Sequence, residues 1–132
     1  MAAKLKIKKL NLGEVTEVGH FFLSKNNSVL EVRMENVKIV GSSFLFANYQ
    51  HIKLYLPKLR EAGNRFLCLN DNIDEINFPN LMKVGDAFIA WHSGALTKIS
   101  LPMLCRVGEK FLAQNVSAEA LRLKRKLSPV PC

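Results

Sequence analysis

Reactive nitrogen and sulfur in this 132-residue chain come from His20, His51 and His92, and from Cys68, Cys105 and Cys132. Zinc sites need such ligands in close, fixed-gap pairs, because four must converge on one tetrahedral ion. No such pair occurs. The cysteines are odd in number and far apart, so no disulfide framework is expected. Cys68 and Cys105 lie in mostly apolar segments, where a free cysteine serves as a small apolar residue. A nucleophilic dyad would need one of these thiols beside a histidine from a neighbouring segment. That alternative stays open, with a packed core thiol as the preferred reading. A phosphate cradle needs glycines gathered in one loop, whereas the seven glycines here are spread along the chain. The expectation is a non-catalytic protein with no cofactor and no metal.

The spread of the glycines is itself a pattern. Val18-Gly19, Val40-Gly41, Ala62-Gly63, Val84-Gly85 and Val107-Gly108 recur at intervals of 22, 22, 22 and 23 residues. Three positions after each glycine stands Phe22, Phe44, Phe66, Phe88 or Phe111, followed by Leu23, Leu45, Leu67, Ile89 or Leu112. Asn26, Asn48, Asn70 and Asn115 come four residues after the phenylalanine, with His92 replacing asparagine once. A second block, such as "INFPNLMKVG" or "ISLPMLCRVG", precedes each glycine. A sixth copy starts at "LRLK", Leu121 to Lys124. Agreement over five copies identifies an internal repeat, and repeats of this period stack into solenoids.

Each copy begins with apolar and polar residues in alternation, the period of a half-buried strand. Pro57, Pro79 and Pro102 follow it, where a missing N–H ends a ladder. The glycine is expected to adopt unusual backbone angles at a turn. What remains is a short return segment, with no room for a helix of ordinary length. One copy cannot bury its Phe, Leu and Val residues alone, so stacking must build a shared core and a parallel sheet. Six strands about 4.8 Å apart make a sheet roughly 25 Å wide. A buried asparagine at the same corner of every coil can satisfy backbone groups of adjacent coils without water.

These residues resemble a leucine-rich repeat, and more narrowly the bacterial-surface-antigen (BspA-like) subtype. The resemblance is carried by Ile73-x-x-Ile76-x-Phe78-Pro79-x-Leu81-x-x-Val84-Gly85-x-x-Phe88 and by Leu96-x-x-Ile99-x-Leu101-Pro102-x-Leu104-x-x-Val107-Gly108-x-x-Phe111. It implies an α/β, β-rich horseshoe fragment with about five repeats of 22–23 residues, about six short parallel strands, and turn or 3-10 return segments. The solenoid would occupy residues 1–124 and a basic, proline-containing tail residues 125–132. Proteins of this kind bind protein partners through their surfaces and carry no catalytic residues.

The formal charge of +8 is concentrated at the ends. Lys4, Lys6, Lys8 and Lys9 lie in the first ten residues and Arg122, Lys124, Arg125 and Lys126 in the last eleven, while the body between is neutral. A nucleic-acid face would need Lys and Arg along the repeats, so nucleic acid and an anionic membrane are not the favoured partners. Charge on terminal coils opposes pairing with other chains. No apolar run reaches the ~18–20 residues of a membrane span. The basic start has no apolar signal core behind it, so the cytoplasm is the default compartment, with non-classical secretion left open.

Outward-facing positions fall into columns. Lys9, Glu31, Lys53, Glu75 and Lys98 alternate in sign and are expected to form a cross-strand charge ladder. The next column is Asn11, Arg33, Tyr55, Asn77, Ser100 and Arg122. It lacks that alternation, and Arg and Tyr are enriched at binding hot spots. Arg33, Tyr55, Asn77 and Ser100 are therefore the candidate partner-binding stripe, against the alternative of a solvated sheet face. Trp91, in one column with Ala47 and Leu69, is a further candidate contact, unless it folds over the turn enlarged near Gly94. Terminal coils with Leu10, Leu12 and Leu121 but no evident cap offer self-association as a second reading.

Overall fold

In a computed structural model of the chain, residues 8–26, 28–48, 51–70, 73, 75–91 and 98–113 are described. The expected sixth copy, the tail, His92, Gly94 and Cys132 lie outside these residues.

Each repeat carries two short strands rather than the single one expected. The first coil holds β1 (Lys9–Asn11) and β2 (Glu17–Val18), and the second β3 (Glu31–Arg33) and β4 (Ile39–Val40). The third holds β5 (Lys53–Tyr55) and β6 (Glu61–Ala62), and the fourth β7 (Glu75–Asn77) and β8 (Lys83–Val84). The fifth contributes β9 (Lys98–Ser100) and an isolated bridge between Arg106 and Lys83. Against the expectation of about five repeats of 22–23 residues, the described residues hold about four turns with two strands each, and β9 and the bridge beyond them. All pairing is parallel, each strand on its equivalent one coil along: Lys9 faces Glu31, and Glu17 faces Ile39. The extra residue near 92–97 is absorbed without loss of register, since Glu75 faces Lys98 and Asn77 faces Ser100.

The result is a parallel β-solenoid. No helix, α or 3-10, occurs among the described residues, so the α/β label and the 3-10 return segments are not observed. A coil of this length must turn three corners, and no run between corners is long enough for a helix. The expected single sheet is instead two stacks. One is β2-β4-β6-β8. The other is the front stack, divided into β1-β3-β5 and β7-β9.

The return segments close each coil with an alternating backbone. Ser43, Leu45 and Ala47 have positive φ, as do Arg65, Leu67 and Leu69, with values from 50° to 61°. Left-handed angles cost an L-residue roughly 1–2 kcal/mol each. Their alternation aims successive N–H groups at opposite neighbours. Leu45 N–H donates to Phe22 O of the preceding coil (2.9 Å), and Ser43 N–H to Asn64 O of the following one (2.7 Å).

No glycine among the described residues has positive φ, so the expected turn role is corrected there. The glycines permit close approach instead. A Cβ on Gly63 would lie 2.8 Å from Ser42 N and 2.9 Å from Gly41 C.

The phenylalanine column forms a continuous stack. Ring centroids from Phe22 to Phe44, Phe66, Phe88 and Phe111 are 5.5, 5.2, 5.3 and 5.5 Å apart, with planes within 13°. Phe78 meets Phe66 edge-on at 5.6 Å. Leu45, Leu67 and Ile89 are fully buried beside them. Such aromatic pairs add about 0.5–1.5 kcal/mol each beyond the area they bury.

Candidate binding face on the front strands

Strand alternation turns Leu10, Val32, Leu54, Ile76 and Ile99 inward and their flanking residues outward. The candidate stripe lands on one exposed side: Asn11, Arg33, Tyr55, Asn77 and Ser100 all face solvent. Arg33 pairs in register with Tyr55, and Asn77 with Ser100. The structure does not bring Tyr55 to Asn77, because β5 and β7 do not pair. Arg33 stacks its guanidinium over the Tyr55 ring, 4.6 Å from the centroid, and lies 3.9 Å from Glu35. The stripe therefore has an internal contact that alternation alone did not suggest. Stacking limits the rotamers of both side chains, which lowers the ordering cost of a partner's contact.

The charge column is arranged as expected, with Lys9 opposite Glu31 and Glu31 opposite Lys53. Its ion pair among the described residues is Glu75–Lys98 at 3.5 Å, exposed on both sides. Trp91 stands elsewhere, on the return run. It is 40 % exposed beside Leu69 at 48 %, with the Lys110 ammonium 5.6 Å from its ring centroid. Ala47, in the same column, is buried.

At the asparagine corner, Asn26 Oδ1 accepts from the Val29 N–H (2.9 Å), and Asn26 Nδ2 donates to Val29 O and Asn48 Oδ1. Asn70 Nδ2 reaches back to Leu45 O (3.0 Å). The Asn70 Oδ1 acceptor is buried without a partner.

Sequence reasoning missed a third polar column, immediately after each glycine. His20 Nδ1 accepts from Ser42 N–H (2.9 Å), Ser42 Oγ from Asn64 N–H (3.3 Å), Asn64 Oδ1 from Asp86 N–H (2.8 Å), and Asp86 Oδ1 from Glu109 N–H (2.8 Å). The signal was that His, Ser, Asn and Asp all offer an acceptor. Also missed was a basic corner, where Lys38, Lys58 and Arg60 line a shallow hollow with Met82 and Met103. Its residues belong to four coils, so no local run reveals it.

Cys68 is free and buried. Burial pushes its thiol pKa up, against smaller downward pulls from Arg65 and the Leu69 backbone. A raised, buried thiol is a poor nucleophile. Cys105 is disulfide-bonded, which the sequence reading did not anticipate. Its sulfur lies 3.4 Å from Met82 O; with no thiol proton to donate, this is a packing contact. Among the described residues, no cluster of metal-binding side chains occurs and no helix is long and apolar enough to cross a membrane.

No family model, no curated protein and no solved structure matches this chain.

Proposed function

We propose that this chain is a non-catalytic binding module that presents its front strands to a protein partner. The observation that carries this reading is the in-register exposure of Asn11, Arg33 and Tyr55, and of Asn77 and Ser100, with Arg33 already stacked on Tyr55. Core columns are uniform from coil to coil while this column changes residue type, which suits a rigid scaffold with an adaptable surface. The leucine-rich-repeat reading belongs to the same proposal, supported by the asparagine corner and the short front strands. Its functional residues are Arg33, Tyr55, Asn77 and Ser100, with Trp91 as a separate contact on the return face.

The test is a capture experiment from cell extract. The chain is compared with a variant carrying Arg33→Ala, Tyr55→Ala and Asn77→Ala, with circular dichroism confirming that both are folded. A protein held by the first and lost by the second is expected. Equal capture by both overturns the face assignment.

A second reading, end-to-end self-association, is favoured by the first coil, where Leu10, Leu12, Val15 and Phe22 are only partly buried and Phe21 is 68 % exposed. Light scattering over a dilution series separates the two, since self-stacking predicts a mass that rises with concentration.

A further inference from the structure

The front stack opens between the third and fourth coils. Elsewhere it follows one hydrogen-bonding rule. Inward residues donate to the following coil, as Leu12 N–H does to Arg33 O (2.9 Å) and Met34 N–H to Tyr55 O (3.0 Å). Outward residues donate to the preceding coil, as Glu31 N–H does to Lys8 O (3.0 Å) and Lys53 N–H to Leu30 O (2.9 Å). The rule resumes beyond the opening, where Phe78 N–H donates to Ser100 O (3.1 Å). Applied across it, Leu54 and Leu56 should donate to Glu75 and Asn77, and Glu75 and Asn77 to Ile52 and Leu54. None of these four bonds forms. Every Cα of β5 is more than 8 Å from every Cα of β7.

The opening is a local wedge. Behind it the same two coils stay joined, with Glu61 paired to Lys83, Ala62 paired to Val84, and Phe66 stacked on Phe88 at 5.3 Å. The cleft measures about 550 Å³ and is bounded by Leu54, Leu56, Tyr55, Glu75 and Asn77. It reaches the core: Leu54 is partly exposed, although its equivalents Val32 and Ile76 in adjoining coils are buried.

We propose that this cleft is a peptide site, in which an extended segment of a protein partner enters as an added parallel strand between β5 and β7. Two ladder spacings amount to ~10 Å, which is the wall separation one inserted strand requires. Both walls offer rows of backbone N–H and C=O groups, whose natural complement is another main chain. The walls also specify side chains. The inward residue of the segment packs against Leu54 and Leu56, which line the cleft, and must be apolar. Its outward neighbour meets Lys53 on one wall and Glu75 on the other, and an uncharged polar residue satisfies both without repulsion. This inference rests on the proposed protein-binding function and names the kind of segment recognised.

Amide hydrogen exchange on the full chain, read by NMR, tests it. In the free chain, the Leu54, Leu56, Glu75 and Asn77 amides should exchange at least about 100-fold faster than those of Val32, Met34, Glu31 and Lys53, which are ladder-bonded. A synthetic peptide alternating valine with threonine, added at millimolar concentration, should then slow those four amides at least about tenfold. The same peptide with proline at its centre should not, since proline lacks the donor. Uniformly slow exchange in the free chain, or no slowing with the peptide, overturns the proposal. Peptide protection together with equal capture by the parent and the triple variant overturns the stripe assignment alone, whereas stripe-dependent capture without peptide protection overturns the cleft alone.

Discussion

The third and fourth coils meet twice, with opposite results. Behind, β6 and β8 pair in register, Asn64 Oδ1 holds the Asp86 N–H at 2.8 Å, and Phe66 stacks on Phe88. In front, β5 and β7 stand apart. The coils have the same length on both sides, so the difference lies in what clamps each run. The rear is clamped three ways, by close approach at glycine, by a bridging side chain and by stacked rings. On the front, an asparagine corner precedes β3 at Asn26 and β7 at Asn70, and the two differ. At Asn26 that corner is closed, with Oδ1 holding the Val29 N–H just before β3. At Asn70 the corresponding oxygen holds nothing just before β7. In a solenoid, then, ladder closure on one face does not enforce closure on another. Each face needs its own side-chain clamp.

Removing the strongest rear clamp should have the largest effect. Phe66→Ala deletes a fully buried ring touching Phe44, Phe88 and Phe78, at the level where the front is already open. The expected loss is about 3–5 kcal/mol in urea unfolding. A loss no greater than that of an exposed substitution would mean the rear stack is not what joins these coils.

Glycine close approach comes next. Gly63→Ala places a methyl against backbone atoms at 2.8 and 2.9 Å, and should cost about 1–3 kcal/mol. Gly19→Ala meets nothing within 4 Å and should be close to neutral. Equal thermal shifts for the two would show that space between coils is not why glycine stands there.

The smallest effect reads the opening itself. A double-mutant cycle on Glu75 and Lys98 should give a coupling of about 0.2–1 kcal/mol that fades with salt. The same cycle on Lys53 and Glu75 should give none, because the cleft separates them. Matching couplings would indicate a front sheet closed in solution.

Much of the fold was legible in the residues. The phenylalanine, asparagine and charge columns were readable because a repeat puts residues 22 apart into contact, so sequence spacing becomes spatial adjacency. The second strand of each coil was not legible. Glu17-Val18 and Lys83-Val84 are too short for any periodicity to show. Glycine was misread because its tolerance of positive φ and its lack of a Cβ are equally good reasons for its presence. Positive φ fell instead to residues such as Leu45 and Ile89, whose intrinsic preference opposes it. Of the candidate site, the exposed stripe was foreseen residue by residue. The Arg33–Tyr55 stack and the separation of Tyr55 from Asn77 were not.

The sequence by itself determined the repeat, the parallel stacking, the buried columns and the side of each strand that faces solvent. These follow from period and alternation, which are local properties. The tertiary structure alone decided which ladders close, where the core opens at Leu54, and which outward side chains touch. Those outcomes depend on the distance between backbones that are far apart along the chain, and no local preference encodes that distance.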